Sequence, residues 1–363
     1  MTPRERVLAA ISHEKVDKVP CDFWGTPEVV AMLKRYFGIS EELELWTKLG
    51  VDKIVDLTPY HTLGVPLPPF FYRGPCRKQN QDIWGVDYIP QGYSGGVYWE
   101  IGFNPLASMD TIEEVESNYT FPKVDWFDFS HFSSLFREQV VRCRSYAIKC
   151  GYISPLYVYL NLRGVEKGLM DFVVNREYAH YVLGKICDFL YCFHERLFEV
   201  GRGFIDIAEV TDDFGMQTGL LVGPRVFEEF FQPRYQCFVR LLKDFGIRVF
   251  HHDDGAIRPL IPRLVELGIE VLNPIQWKLP DMDPRALKED FGSALCFHGG
   301  VDNQETLPFG NTTDVEHEVV YLLEALASDG TGYILAPCHN IQPITPLENI
   351  VSMYRAANYW GVL

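Results

Sequence analysis

The sequence predicts an α/β protein built as a single (β/α)8 barrel, with an N-terminal helical extension and an inserted β-hairpin. Three observations carry this. Between residues 152 and 336, apolar β-rich runs alternate six times with helical patterns, and one or two units upstream bring the count to the number at which a parallel sheet closes. No Gly-rich dinucleotide or phosphate-binding motif follows any strand, which removes the usual reasons for an open sheet. Ionisable residues collect where the apolar runs end, as they do at the carboxyl-terminal mouth of a barrel.

Thr2 and Pro3 are a helix N-cap and a first helical residue, and Val7, Leu8 and Ile11 form the stripe of a first helix. A strand is expected over 18–23, helices over 28–36 and 41–49, and a second strand over 52–57. Residues 82–103 interrupt the alternation: two β-rich runs, 84–88 and 97–101, flank Ser94-Gly95-Gly96 and read as a hairpin. Helices over 111–117 and 133–149 follow. Strands are then expected over 152–159, 204–209, 248–252, 271–273, 294–298 and 333–336. Helices over 176–200, 224–245, 258–267, 284–291 and 315–327 lie between them. No Pro/Gly/Ser-rich linker divides the chain, so residues 1–363 are read as one barrel domain.

The composition narrows the function. With 363 residues, 47% hydrophobic and 23% charged, the chain has material for a full core. A net charge of −16 and a pI near 5.1 argue against nucleic acid or an anionic membrane as partner. Nine cysteines without a CxxC pair, an amino terminus without a long apolar run, and the lack of any stretch of about twenty apolar residues point to a reduced, cytoplasmic protein.

The densest chemistry lies in Val249-Phe250-His251-His252-Asp253-Asp254-Gly255, where an apolar strand ends in two imidazoles, two carboxylates and a glycine. A barrel gathers all strand ends on one face, so His252 and Asp254 can meet His339 from the last strand. Two imidazoles and a carboxylate suit a divalent metal with an open position, with Glu209 or Cys338 as a further ligand. The structural alternative is that His339 caps a helix and Asp254 pairs with a basic residue. Asn161 and Arg163 are expected at a strand end, Arg163 as an anion anchor. Asp213 and Gln276 are expected at others. Phe23, Trp24, Phe70, Phe71, Tyr72 and Trp99 concentrate in the early loops and the hairpin, where a minority of the rings could wall a flat ligand.

Thr2-Pro3-Arg4-Glu5-Arg6-Val7, Val16-Asp17-Lys18-Val19-Pro20, Trp84-Gly85, Asp213-Phe214-Gly215-Met216-Gln217 and Leu272-Asn273-Pro274-Ile275-Gln276 form a pattern with His298-Gly299-Gly300-Val301-Asp302 and Pro337-Cys338-His339-Asn340. Over almost its whole length the chain thereby resembles the uroporphyrinogen decarboxylase-like TIM barrels, which include cobalamin-dependent methyltransferases. True decarboxylases carry an RQAGRYLPE-type segment whose arginine holds substrate carboxylates, and an Asp after the second strand. Here Cys21-Asp22-Phe23-Trp24-Gly25-Thr26-Pro27 and Leu57-Thr58-Pro59 stand instead, which counts against that activity. Coenzyme M-type methyltransferases hold zinc with H-x-C-G and a late Cys, whereas this chain has His252-Asp253-Asp254-Gly255 and Cys338-His339. A carboxylate in place of a thiolate makes a harder site, better matched to oxygen donors.

The resemblance therefore implies O-demethylation: a methyl group passes from a methoxylated aromatic compound to the Co(I) of a separate corrinoid protein, as in the systems of anaerobes. The E-x14-E-x20-H spacing associated with such enzymes falls on Asn303, Glu318 and His339, so its first position is not met. On this reading His252, Asp254 and His339 hold zinc or another divalent metal, and Glu209 or Asp213 gives a proton. Arg163, Asn161, Phe23, Trp24 and Gln276 bind the substrate. The cobalamin travels on the partner protein, and a homodimer is compatible with these features. Transfer from methylcobamide to tetrahydrofolate or a thiol, and a non-catalytic tetrapyrrole-binding or corrinoid-binding barrel, are the alternatives.

Overall fold

In the computed structural model, which describes residues 1–59, 69–75, 78, 80–93 and 96–360, seven parallel strands form one curled sheet in sequence order. They are β1 (Ile54–Asp56), β2 (Ala147–Ile153), β3 (Ile207–Val210), β4 (Arg248–His252), β5 (Val271–Asn273), β6 (Cys296–Val301) and β7 (Tyr333–Pro337). The segment expected as the first strand is the eighth stave. Asp22 N donates to Leu335 O at 2.8 Å and Leu335 N to Pro20 O at 2.9 Å, while on the other side Asp52 N donates to Cys21 O at 2.6 Å. A single bridge, Cys21 with Leu335, stands where a full ladder was expected. Pro20 has no N–H with which to extend it.

The helix Pro3–Ile11 starts at the expected cap: Thr2 and Glu5 form a capping box. Its Val7, Ala10 and Ile11 plug the amino-terminal end of the barrel against one inward residue from every strand, from Ile54 on β1 to Ile334 on β7. Side chains alternate along a strand, so the next inward position comes two residues later. On six strands that residue is polar: Asp56, Lys149, Glu209, His252, Asn273 and His298. The barrel interior thus changes from an aliphatic floor to a ring of ionisable groups at the mouth.

The expected strand over 152–159 is corrected. β2 ends at Ile153, and a helix, Pro155–Arg163, follows. Its β-branched and aromatic residues read as strand, but Pro155 opens a helix and the Asp212 carboxylate takes the N–H groups of Leu156 (3.0 Å) and Tyr157 (2.8 Å) at its start. The preceding helix is Phe129–Cys143, capped by Asp128. The helix expected over 224–245 is interrupted by a wide turn at Phe227–Phe231, after which Pro233 sits in the first turn of Gln232–Asp244. Proline lacks the donor that would keep the regular register. The hairpin pairs Asp87–Tyr93 with Gly96–Phe103 in antiparallel register. Its turn residues Ser94 and Gly95 lie outside the described residues. Among the described residues no helix is long and apolar enough to cross a membrane.

Candidate metal centre and cavity

β4 ends by alternation: His252 faces the interior and its neighbours face away. His251 packs between Phe214 and Tyr235, fully buried, and its Nδ1 donates to Val210 O at 2.7 Å. Burial lowers this imidazole to about 4 and pushes the adjoining Asp253 carboxyl well above its usual range, so burial disfavours the charged form of both. Asp253 Oδ1 accepts from the N–H groups of Phe214 and Gly215, both at 2.9 Å. The loop after β4 is thereby clamped to the loop after β3. The clamp is tight at two glycines: Gly255 has φ +110°, and a Cβ there would lie 2.5 Å from Met216 N, while one on Gly215 would lie 2.4 Å from Asp254 O.

This clamp aims Asp254 at two imidazoles. One ligand atom each from His252, Asp254 and His339 lies within 4.8 Å of the other two, and the two rings are 5.9 Å apart, centre to centre. Asp254 Oδ1 is buried and has no hydrogen-bond partner, which normally costs about 1–3 kcal/mol unless something else satisfies the oxygen. Two imidazole nitrogens and an orphaned carboxylate oxygen converging on one point are a donor set for a divalent transition ion, so the residues fit the implied metal. Burial raises the Asp254 carboxyl against the pull of His252 and His339. Burial lowers His252, but Asp254 and Asp213 outweigh it and leave the imidazole raised.

Behind the cluster runs a chain of hydrogen bonds that the sequence reading did not anticipate. His252 Nδ1 meets Asn273 Oδ1 at 2.5 Å, Asn273 Nδ2 meets His298 Nδ1 at 2.7 Å, and His298 Nε2 meets Asp22 Oδ2 at 3.2 Å. An amide oxygen only accepts and an amide N–H only donates, so the tautomers follow: His298 is protonated on Nε2, and His252 on Nδ1, with Nε2 left as the ligand atom. Asp22 is itself held by Trp24 Nε1 (2.8 Å) and Lys53 Nζ (3.2 Å). The available signal was a polar residue at the second inward position of an otherwise apolar strand, shared by Asn273 and His298.

The cluster opens into a cavity of about 1290 Å³ whose wall includes His252, His339, Asp213, Asn161, Phe23 and Trp24. Asp213 stands at its mouth, 57% exposed, 3.9 Å from His252 Nε2, and accepts from Asp254 N at 3.0 Å. Trp24 packs against His252, His298 and Phe250. Phe23 packs on Tyr354. Gln276 uses its side-chain oxygen to hold Gly255 N at 2.7 Å, and so supports the metal loop rather than the cavity wall. Glu209 also lines the cavity but is ion-paired with buried Lys149, which bonds Asp56 at 3.0 Å on its other side.

Three expected residues lie elsewhere. Arg163 is on the helix after β2, 3% exposed, and all five of its N–H groups are engaged: by Asp171, Asp110 and the carbonyls of Leu106 and Met109. No donor remains for a substrate anion, so the anchor role is corrected to a structural one. Cys338 is buried, its thiol raised by that burial, and Sγ donates to Ile275 O at 3.5 Å, outside the cluster. Glu318 accepts from Asp302 N and Thr306 Oγ1. Of the early aromatic group, Phe71 is core, packed on Phe127, Phe132 and Phe193.

Comparison with known proteins agrees with this architecture. The chain is similar to a methyltransferase from Methanosarcina mazei, with a TM-score of 0.66 at 20% identity over 99% of both chains. It is also similar to a 3-keto-D-glucoside 4-epimerase from E. coli, with a TM-score of 0.39 at 15% identity over 63% of this chain and 84% of that one. No curated protein sequence matches. Residues 148–360, which contain six of the seven strands apart from the first residue of β2 and all three residues of the cluster, match the family described as Uroporphyrinogen decarboxylase (URO-D). A barrel of this topology together with that match, over more than half the chain, assigns the protein to the URO-D family.

Proposed function

We propose that the protein is a methyltransferase that moves a methyl group from a methoxylated aromatic compound to the Co(I) of a separate corrinoid protein. The observation that carries this is the His252, Asp254 and His339 set opening into an aromatic-walled cavity. A carboxylate there favours a harder ion and an oxygen-linked substrate over a thiolate. The fold shared with the Methanosarcina mazei methyltransferase is in keeping with it.

The chemistry sets what the residues must do. The carbon–oxygen bond breaks with its electron pair left on the ring oxygen, the methyl carbon accepts the electron pair of Co(I), and the ring oxygen takes up a proton. His252, Asp254 and His339 would hold a divalent ion, which would supply Lewis acidity for the leaving oxygen. Asp213, exposed at the mouth beside His252, is the carboxylate placed to relay that proton from solvent. Glu209 is committed to Lys149 and holds that cation against the cavity floor. Trp24 and Phe23 wall the ring site, and Asn161 offers its amide from the cavity side.

The test is formation of methylcobalamin from Co(I)alamin by the metal-loaded protein with a panel of methoxybenzoates and methoxyphenols. Turnover that vanishes in Asp254→Ala and His339→Ala supports the proposal. Demethylation of methylcobalamin with tetrahydrofolate or a thiol as acceptor, and no turnover of any methoxyarene, would replace it with the reverse reaction. Corrinoid binding without bound metal or turnover would make the protein a binder.

A further inference from the structure

The charge of the cavity constrains the donor more closely. This rests on the methoxyarene reading above and concerns which methoxyarenes the site accepts. Four basic side chains line the cavity among the described residues: Lys34, Lys53, Arg142 and Lys149. Each is already balanced by a carboxylate on the same wall. Lys53 Nζ lies 3.2 Å from Asp22, and Lys149 lies between Asp56 and Glu209. Arg142 lies 2.5 Å from Glu41, and Lys34 lies 3.9 Å from Glu42. Arg163, the one arginine that the sequence offered as an anchor, is buried outside the cavity with every donor used.

Seven carboxylates line the cavity against those four cations. Asp254 adds an eighth at the cluster, and a divalent ion there leaves the balance negative. Asp213 places part of the surplus at the mouth, where a ligand enters. The rest of the surface is rich in π faces, among them Trp24, Trp84, Tyr88, Trp99, Tyr157 and Phe250. Aromatic faces and a negative field attract a flat uncharged ring or a cation, and repel an anion whose water they strip away.

We infer that the methyl donor carries no carboxylate: it is an uncharged methoxyphenol, with an ammonium-bearing side arm tolerated or favoured. Methoxybenzoates are poor ligands of this site, because no described basic group is left to pair with the ring carboxylate.

The experiment is titration calorimetry on the full chain, with and without bound metal, using three probes that share one methoxyphenol ring. Guaiacol is uncharged, vanillate adds a carboxylate and vanillylamine adds an ammonium arm. The expected order is vanillylamine tighter than or equal to guaiacol, with vanillate at least tenfold weaker. Raising the salt concentration should narrow the gap, as should Asp213→Asn, which removes one surplus charge. Vanillate binding as tightly as guaiacol, or tighter, overturns this inference and leaves the methoxyarene reading standing. Binding of none of the three overturns both.

Discussion

Asn273 Oδ1 lies 2.5 Å from His252 Nδ1 and thereby decides which nitrogen of the His252 imidazole can bind a metal. The same amide is fixed from behind by His298, whose other nitrogen reaches Asp22. Four side chains from four staves of the barrel thus act as one unit, and three of them, Asn273, His298 and Asp22, are fully buried.

Replacing Asn273 should weaken metal binding without unfolding the protein. Partners behind a ligating histidine are worth about 10–100-fold in affinity, so Asn273→Ala should lose that much for Co(II) or Zn(II) in a competition titration with a chromophoric chelator. Asn273→Asp keeps the acceptor for His252 and should recover part of the loss. An unchanged affinity in both variants would remove the chain of hydrogen bonds from the metal site.

Gly255→Ala should damage the same site from the other side. The residue has φ +110°, and the added carbon would meet Met216 N at 2.5 Å, so the loop carrying Asp254 must move. Forced into that backbone region, an alanine costs about 1–3 kcal/mol. The expected result is a lower thermal midpoint together with loss of Co(II) binding; retention of both would mean that the loops separate cheaply.

Arg163→Ala should behave oppositely. Removing the guanidinium leaves Asp171 charged and buried, a loss of about 3–5 kcal/mol in urea unfolding. Metal affinity should stay as in the parent, because Arg163 is absent from the cavity wall. A variant of normal stability that no longer binds aromatic ligands would return Arg163 to the substrate site.

Acid should destabilise the protein through His194. This ring is fully buried, with Nδ1 donating to Leu190 O at 2.7 Å, and burial lowers it from 6.5 to about 4. The unfolded chain therefore takes up a proton before the native one does. Stability is complete above about pH 6.5 and falls as the pH drops toward 4, by up to about 3 kcal/mol. Thermal midpoints measured across that window should fall, and His194→Gln should flatten the slope. A pH-independent parent would show that His194 is accessible to protons in the native state.

The barrel and the meeting of His252, Asp254 and His339 were legible because they rest on strong periodic signals. His252 and Asp254 end an apolar run at the right parity, and His339 follows the last strand. The misread region, 152–159, failed because Val158, Tyr152, Tyr157 and Tyr159 favour strand while a distant carboxylate, Asp212, caps the helix that forms instead. That capping is a tertiary effect invisible to local pattern. Arg163 was misplaced with it. Asn273 and Lys149 were visible as polar residues at inward positions, but their partners come from other staves, and only the folded ring shows that Lys149 is held by Glu209 and Asp56.

Ring closure by residues 20–25 has a consequence for how the molecule comes into being. Asp22 joins His298 across 276 residues of chain and Tyr354 across 332. Contacts so remote form late, since the loop they close is nearly the whole polypeptide. A chain still being synthesised has the plugging helix and most of the sheet, but its two outer strands stay open to foreign pairing until β7 emerges. His339 follows only two residues after β7. Assembly of the His252, Asp254 and His339 cluster and barrel closure are therefore nearly simultaneous, and a chain halted shortly before that point would both lack the third residue of the cluster and be prone to stick to its neighbours.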